Sequence, residues 1–284
     1  MEVIVLAENE TIGAPPHLIG EHGLSLLVLA HGRRVLFDTG ATDALVSNAK
    51  ALGLGDDLAQ LDAIIVSHGH YDHAGGLAAV LEHAQRPIQV HVRHGFFKSR
   101  LSLRTEVPRA IGVPFERKFL EARGARFIQE SDSRQILPGF WLTSEIPLRE
   151  EAAAGETGLM LGAARDHAAA DHFTDEHAMA VRTERGLAVL VGCSHRGLVN
   201  SILAAMAAAG DGAVDIVFGG AHLRSASDAH IDWAARRAHE LTTQVALGHC
   251  TGKNAEVQFS KVFVARSHRL RSGWRWQDGP SMRA

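Results

Sequence analysis

Four short apolar runs in this 284-residue chain each end at a histidine, and this recurring pattern restricts the fold more than any other feature. The runs are IIVSHGH, LAVLVGCSH, DIVFGGAH and QVALGH, and they place His68, His195, His222 and His249 just after predicted strands. In open sheets flanked by helices, ligand sites form beyond the carboxyl ends of the strands, where the backbone turns away. We therefore expect these histidines to converge on one crevice of an α/β fold.

Strand and helix patterns alternate along most of the chain, which favours an α/β arrangement. Three strand-like runs open the sequence, and the alternation then continues to residue 93 and resumes at residue 178. The segment 94–172 breaks this rhythm with prolines and the tract EEAAAGETG. We predict a single domain over 1–284, with 94–172 as an insertion or cap that contains a strand or two near 126–145.

Composition excludes several classes of protein. The chain is 46% apolar with a net charge of −3, and its basic residues are scattered rather than clustered, so we expect no nucleic-acid partner. No signal-peptide pattern and no run of about 20 apolar residues is found, which predicts a cytoplasmic protein without membrane contact. Two cysteines are too few for a disulfide scaffold. A small-molecule substrate is expected, with a homodimer left open.

The stretch HGHYDH concentrates metal-binding side chains within six residues. His68 and His70 are two positions apart and can reach the same side, whereas Asp72 and His73 come from the following turn and can face a second point. One loop can therefore supply two neighbouring metal ions. Two ions roughly 3.5–4 Å apart can lower the pKa of a shared water and hold the resulting hydroxide as a nucleophile.

The stretch SHGHYDHAGGL resembles the His-x-His-x-Asp-His motif of the metallo-β-lactamase superfamily. The stretches EHGLSLLVLAHGRRVLFDTG, VGCSHRGLVNSI, FGGAHL and GHCTG are similar to successive blocks of the branch labelled dihydropterin ribofuranosylaminobenzene 5'-phosphate synthase-like. The resemblance implies a mixed α/β, four-layer αββα sandwich with an inserted cap. It also implies that His68 and His70 bind one metal and that Asp72, His73 and His249 bind the other.

The chain departs from the superfamily at the bridging ligand. Many members have Gly-Asp at the end of the strand before the penultimate helix, and that aspartate bridges the two ions. Here the corresponding residues are Gly192 and Cys193. Either Cys193 bridges as a thiolate or His195 replaces the aspartate, and we favour His195, because a buried cysteine often packs simply as a small hydrophobe.

Other roles stay open at this stage. The third ligand of the first metal is His172, His177 or His222. Asp38, at the end of a strand, either orients a metal-bound histidine or caps the next helix. Four side chains of the insertion could line the mouth of the site, and they are Phe96, Phe97, Arg104 and Arg109.

These patterns lead to one main hypothesis and two alternatives. The main one is a dinuclear hydrolase of a small anionic, phosphorylated substrate, in which a metal-bound hydroxide attacks and Asp72 positions it. The cofactors would be two divalent ions, with zinc favoured by the thiolate and iron or manganese as alternatives. The first alternative is the pterin-diphosphate condensing synthase of the branch label. The second is a metal-dependent binding or sensor protein without catalysis.

Overall fold

The computed structural model describes residues 1–150 and 158–279, so most of the EEAAAGETG tract lies outside the described residues. The strands in chain order are β1 (Glu2–Ala7), β2 (Ser25–Ala30), β3 (Arg33–Phe37), β4 (Ala63–Ile65), β5 (Ile88–Arg93), β6 (Arg100–Ser102), β7 (Arg109–Ala110), β8 (Ala125–Glu130), β9 (Arg134–Leu137), β10 (Phe140–Leu142), β11 (Leu159–Leu161), β12 (Ala169–Ala170), β13 (Met179–Thr183), β14 (Gly186–Leu190), β15 (Val214–Gly219), β16 (Thr242–Leu247), β17 (Ser267–Arg269) and β18 (Arg275–Gln277). The helices are α1 (Ala44–Ala51), α2 (Gly55–Ala59), α3 (Tyr71–Ala74), α4 (Leu77–Ala84), α5 (Arg117–Glu121), α6 (Leu198–Ala208), α7 (Asp228–Leu241) and α8 (Lys253–Phe263).

Within the described part of the chain, the strands form two seven-stranded sheets and one four-stranded sheet. The first large sheet has the order β18-β1-β2-β3-β4-β5-β8, and the second has the order β17-β16-β15-β14-β13-β10-β9. Strands β3, β4, β5 and β8 run parallel, as do β14 to β17, and the remaining pairs are antiparallel. The second half therefore repeats the layout of the first, as the alternating sequence pattern predicted.

Both faces of the large sheets are buried, which explains their nearly continuous apolar strands. In β1, Val3 and Val5 point into the layer between the two sheets, whereas Ile4 and Leu6 point to the helices outside. The period of two along a strand produces this division. Helices α1 and α4 cover the first sheet, and α6, α7 and α8 cover the second. The predicted αββα sandwich is confirmed.

Helix α8 was not predicted, although its sequence carries a helical signal. Its buried residues Ala255, Phe259 and Phe263 recur every four positions, which places them on one helix face. Near the C-terminus, Trp276 lies in the edge strand β18 and packs against Phe218. No helix among the described residues is long and apolar enough to cross a membrane.

The segment 94–172 is divided between the cap and the two main sheets. Strands β6, β7, β11 and β12 form the separate four-stranded sheet, which we call the cap sheet. Strand β8 instead pairs with the edge of the first sheet, and β9 and β10 extend the edge of the second. The cap sheet is therefore narrower than the predicted insertion, because the middle of that segment contributes three strands to the sandwich itself.

Candidate metal centre

The strand ends meet at one edge of the sandwich, as the sequence predicted. The HGHYDH loop follows β4 in the first sheet and runs into α3. The residues after β14, β15 and β16 approach the same place from the second sheet, and they bring Cys193, His195, His222 and His249. All eight predicted ligands lie in this cluster, namely His68, His70, Asp72, His73, Cys193, His195, His222 and His249.

A first group of donors forms around His68. The ring centroids of His68, His70 and His195 lie 4.6 to 5.1 Å from one another, and ligand atoms of His68, Cys193 and His195 lie within 4.8 Å. His70 Nε2 and both ring nitrogens of His195 are buried, with no hydrogen-bond partner among the described residues. Unpaired buried polar atoms are costly in a folded protein. These atoms fit a metal ion as their missing partner.

A second group forms around His73. Ligand atoms of His73, Cys193 and His249 lie within 4.8 Å of one another, and His73 Nε2 is 3.2 Å from Cys193 Sγ. Asp72 Oδ2 lies 3.4 Å from His249 Nε2 and 4.0 Å from His73 Nε2. Cys193 belongs to both groups, whereas His195 belongs only to the first. The geometry therefore favours Cys193 for the bridging position, in contrast to our preference from sequence.

Burial sets the protonation of most of these ligands. It lowers the pKa of His68 and His195 well below the usual range and that of His70 to about 3, so all three rings are neutral, the form that binds metal. Burial also raises the pKa of the Cys193 thiol, which a bound cation would reverse. Although burial alone disfavours protonation of His73, the charges of Asp38 and Asp72 raise its pKa to about 9.

Asp38 orients the HGHYDH loop rather than capping a helix. Its carboxylate accepts hydrogen bonds from His73 Nδ1 at 2.6 Å, from the Ser67 backbone N–H at 2.7 Å and from Ser67 Oγ at 2.8 Å. Helix α1 has Asp43 at its N-cap instead. A carboxylate behind a metal-binding imidazole fixes the ring and its tautomer. His73 is therefore held with Nε2 directed at the second group.

Backbone contacts from other carboxylates hold the remaining loops. Glu8 accepts the His249 N–H at 2.5 Å, and Glu176 accepts the N–H groups of His195 and Arg196 at 2.8 Å each. Burial raises the pKa of both glutamates to about 7. The sequence assigned no role to either residue, because nothing in the local pattern shows that a distant loop will contact it.

The peptide of Gly69, between the first two histidines, is held from both sides. Asp175 accepts its N–H at 2.8 Å, and Arg100 donates to its carbonyl at 3.1 Å. Arg100 also forms an ion pair with Asp171 at 2.7 Å, which ties this loop to the cap segment. A side chain at Gly69 would collide with the backbone of Phe96, so this position requires glycine.

Two further side chains of the site were missed from sequence. His22 Nε2 lies 3.2 Å from Asp72 Oδ2, and its ring stacks on His249 at 4.9 Å. Cys250 lies beside Cys193 and His222, with ligand atoms of all three within 4.8 Å. The position of Cys250 directly after His249 was an available signal, whereas no spacing rule pointed to His22.

Several expected roles are not supported by the geometry. His172 is exposed, and His177 is buried against the Val66 carbonyl, 3.0 Å from its Nε2. Neither histidine belongs to a ligand group among the described residues. The predicted mouth residues Phe96 and Phe97 pack in the core beneath the cap instead. Their aromatic side chains fill the space between the first sheet and its outer layer.

We expect His177 to weaken the fold in acid. Burial lowers its pKa to about 3, so between pH 6.5 and 3 the unfolded chain binds a proton that the fold excludes. The free energy of unfolding should therefore fall as the pH drops below about 6.5. His177 should contribute up to about 1.4 kcal/mol per pH unit to this fall. Urea unfolding of the wild type and of His177→Gln should show the shallower pH slope in the variant. Equal slopes would contradict this assignment.

A cavity of about 1130 Å³ opens onto both ligand groups. Arg104 and Arg109 reach it from the cap segment, and Arg224 reaches it from the loop after β15. Among its lining residues in the described chain, Asp72 is the only carboxylate. The three arginines make the cavity wall positively charged, a property suited to an anionic molecule.

Comparison with known proteins agrees with this geometry. Residues 18–159, half of the chain, match the family model of the metallo-beta-lactamase superfamily. The chain belongs to this superfamily. It is an enzyme of a superfamily whose fold binds divalent metal ions, and its described residues include histidine, aspartate and cysteine side chains that could hold them. The resemblance seen in the HGHYDH motif is confirmed.

This chain aligns with known proteins over nearly its whole length. It is 29% identical to the 7,8-dihydropterin-6-methyl-4-(beta-D-ribofuranosyl)-aminobenzene-5'-phosphate synthase of Methanocaldococcus jannaschii, over 96% of this chain and 95% of that one. It is also 29% identical to a metal-dependent hydrolase of the beta-lactamase superfamily, with a TM-score of 0.81 and 98% of each chain covered. The metallo-beta-lactamase fold protein YhfI of Bacillus subtilis shares the fold at 14% identity, with a TM-score of 0.56 and with 97% of this chain and 99% of that one covered.

Proposed function

We propose that the protein is a dinuclear metal-dependent hydrolase of a small phosphorylated molecule. One observation carries this proposal: Cys193 is shared by two ligand groups that open onto an arginine-lined cavity. A concave site of this kind suits a small molecule better than a polymer. The relative at 29% identity that is described as a metal-dependent hydrolase supports the reaction class.

The ligand groups suggest how two ions would be held. His68, His70 and His195 would bind the first, Asp72, His73 and His249 the second, and Cys193 would contact both. Imidazole and thiolate donors together favour zinc, with iron or manganese as alternatives. Two such ions would polarise the substrate and lower the pKa of a water molecule between them.

The surrounding side chains have distinct roles in this proposal. Asp72 Oδ2 accepts a hydrogen bond from the attacking water and so positions it, which makes Asp72 the catalytic residue of the chain. Arg104, Arg109 and Arg224 bind the phosphate oxygens, since guanidinium groups match the geometry of phosphate. Tyr71 lines the cavity beside Arg109, and the positive charge of Arg109 opposes the rise that burial causes in the pKa of Tyr71.

A substrate panel tests this function. Metal-loaded protein should hydrolyse phosphate esters or anhydrides at least about tenfold faster than uncharged esters with the same leaving group. Arg109→Gln should raise KM about tenfold with a smaller effect on kcat, because a charge-assisted contact to the bound phosphate is lost. Arg236→Gln, a substitution at an exposed position on α7, is the matched control. Equal rates on charged and uncharged esters would contradict the proposal.

A second function is favoured by the similarity to the Methanocaldococcus jannaschii synthase. In that case the protein would join a dihydropterin diphosphate to a ribosylaminobenzene phosphate and release pyrophosphate. The two functions differ in their need for an acceptor. Pyrophosphate release that requires the aminobenzene phosphate would identify the synthase, whereas phosphate-ester cleavage by water alone would identify the hydrolase.

A further inference from the structure

A third set of donors lies entirely within the second sheet. Strands β14, β15 and β16 are parallel neighbours, and each delivers one ligand just beyond its carboxyl end. These ligands are Cys193, His222 and Cys250, and their donor atoms lie within 4.8 Å of one another. The HGHYDH loop contributes none of them. The set is therefore separate in origin from the two groups described above, apart from the shared Cys193.

The backbone around these donors is shaped to bring them together. A Cβ at Gly220 would lie 2.5 Å from Cys250 Sγ, so only glycine leaves room for the sulfur. His222 has a φ of +48°, a left-handed conformation that histidine adopts rarely. Such local strain is tolerated where the surrounding structure requires it. Here the conformation places the imidazole beside the two thiols.

The two cysteines are free thiols within an otherwise histidine-rich site. Both are buried, and Cys250 Sγ lies 3.5 Å from the carbonyl oxygen of Cys193. Cys193, His222 and Cys250 all line the cavity, so an ion among them could be reached by a substrate. Two thiolates and one imidazole with an open fourth position form a known zinc arrangement in enzymes.

We propose that Cys193, His222 and Cys250 bind a third, thiophilic divalent cation, Zn²⁺ or an ion of similar softness. Two thiolate charges balance the charge of the cation, and the shared sulfur of Cys193 links this position to the other two. The open coordination position faces the cavity near Arg224. The third ion would therefore offer an open coordination position on the cavity wall without adding net charge to it, and this proposal does not depend on a phosphorylated substrate.

Cobalt titration of the reduced, metal-free protein tests the third position, after a thiol assay has shown both cysteines to be free. The wild type should bind three equivalents of Co²⁺, with strong sulfur-to-cobalt charge-transfer absorption. Cys250→Ser and His222→Asn should each bind two equivalents, and the absorption of Cys250→Ser should fall by about half, because half of the sulfur–metal contacts are lost. Asparagine is chosen at position 222 because it tolerates the left-handed backbone.

His70→Ala is the matched control, since it removes a ligand of the first group only. It should lose one equivalent of Co²⁺ yet keep the absorption that depends on Cys250. Unchanged stoichiometry and absorption in both Cys250→Ser and His222→Asn would overturn the third site. That result would leave the two-ion hydrolase intact. A wild type that binds only one equivalent of Co²⁺ would overturn the two-ion hydrolase instead. If Cys250→Ser failed to fold, His222→Asn would decide the question.

Discussion

Replacing Cys193 with alanine should remove metal from both main ligand groups at once and reduce hydrolysis by about a hundredfold or more. The reason is its shared position: its sulfur lies within 4.8 Å of donors in each group and 3.2 Å from His73 Nε2. Without the sulfur that would contact both ions, each ion would be bound more weakly. Metal content per chain by inductively coupled plasma mass spectrometry, measured beside the rate, checks this expectation.

Variants of histidines that belong to only one ligand group are the controls for Cys193→Ala. His195→Ala should lose the ion of the first group alone, and His249→Ala should lose the ion of the second. His94→Ala, at an exposed histidine away from the cluster, should keep both metal content and rate. Full metal content and full activity in Cys193→Ala would show that the sulfur only packs, and a loss of both ions in His195→Ala would assign the bridging position to that histidine.

Replacing Asp38 with alanine should lower the free energy of unfolding by about 3–5 kcal/mol. Asp38 is fully buried and accepts hydrogen bonds from His73 and from two groups of Ser67. Alanine removes the buried partner of His73 Nδ1 and of the Ser67 N–H, whereas Ser67 Oγ still lies 3.0 Å from His68 Nδ1. The affinity for the ion of the second group should also fall about 10–100-fold, since the His73 ring is no longer held. Denaturant unfolding and competition with a metal chelator measure the two effects.

Asp38→Asn separates the two effects of that substitution. The amide keeps the volume and one acceptor oxygen, so stability should fall less than in Asp38→Ala, while metal affinity still drops because the negative charge behind His73 is gone. Asp132→Ala, at an exposed carboxylate, is the control and should change neither quantity. Wild-type metal affinity in Asp38→Asn would contradict the orienting role.

The sequence was most informative where one local pattern has one structural outcome. The runs around Ile64, Val189, Ile216 and Val245 are apolar on both faces, and such runs form strands buried between other layers. Because parallel strands end at a common edge, the histidines after them were predicted to meet, and they do. Spacing alone likewise predicted that His68 and His70 reach one side of the HGHYDH loop, whereas Asp72 and His73 face a second point.

The segment 94–172 was harder, because strand pairing depends on distant partners. Nothing near Phe127 shows that β8 will join β5, or near Trp141 that β10 will join β13. The cap was therefore predicted as one insertion, while the structure divides it among three sheets.

Periodicity in the sequence by itself determined the alternation of strands and helices, and the histidines at the strand ends and in the HGHYDH loop marked most of the residues that gather at one edge. The four-layer arrangement followed from the resemblance of the motifs to the superfamily. Only the tertiary structure decided that Cys193 lies between the two groups, that His22 reaches Asp72 and that Cys250 joins His222. Those contacts join residues from different strands and loops. Their distances depend on how the two sheets pack against each other, and no local pattern encodes that packing.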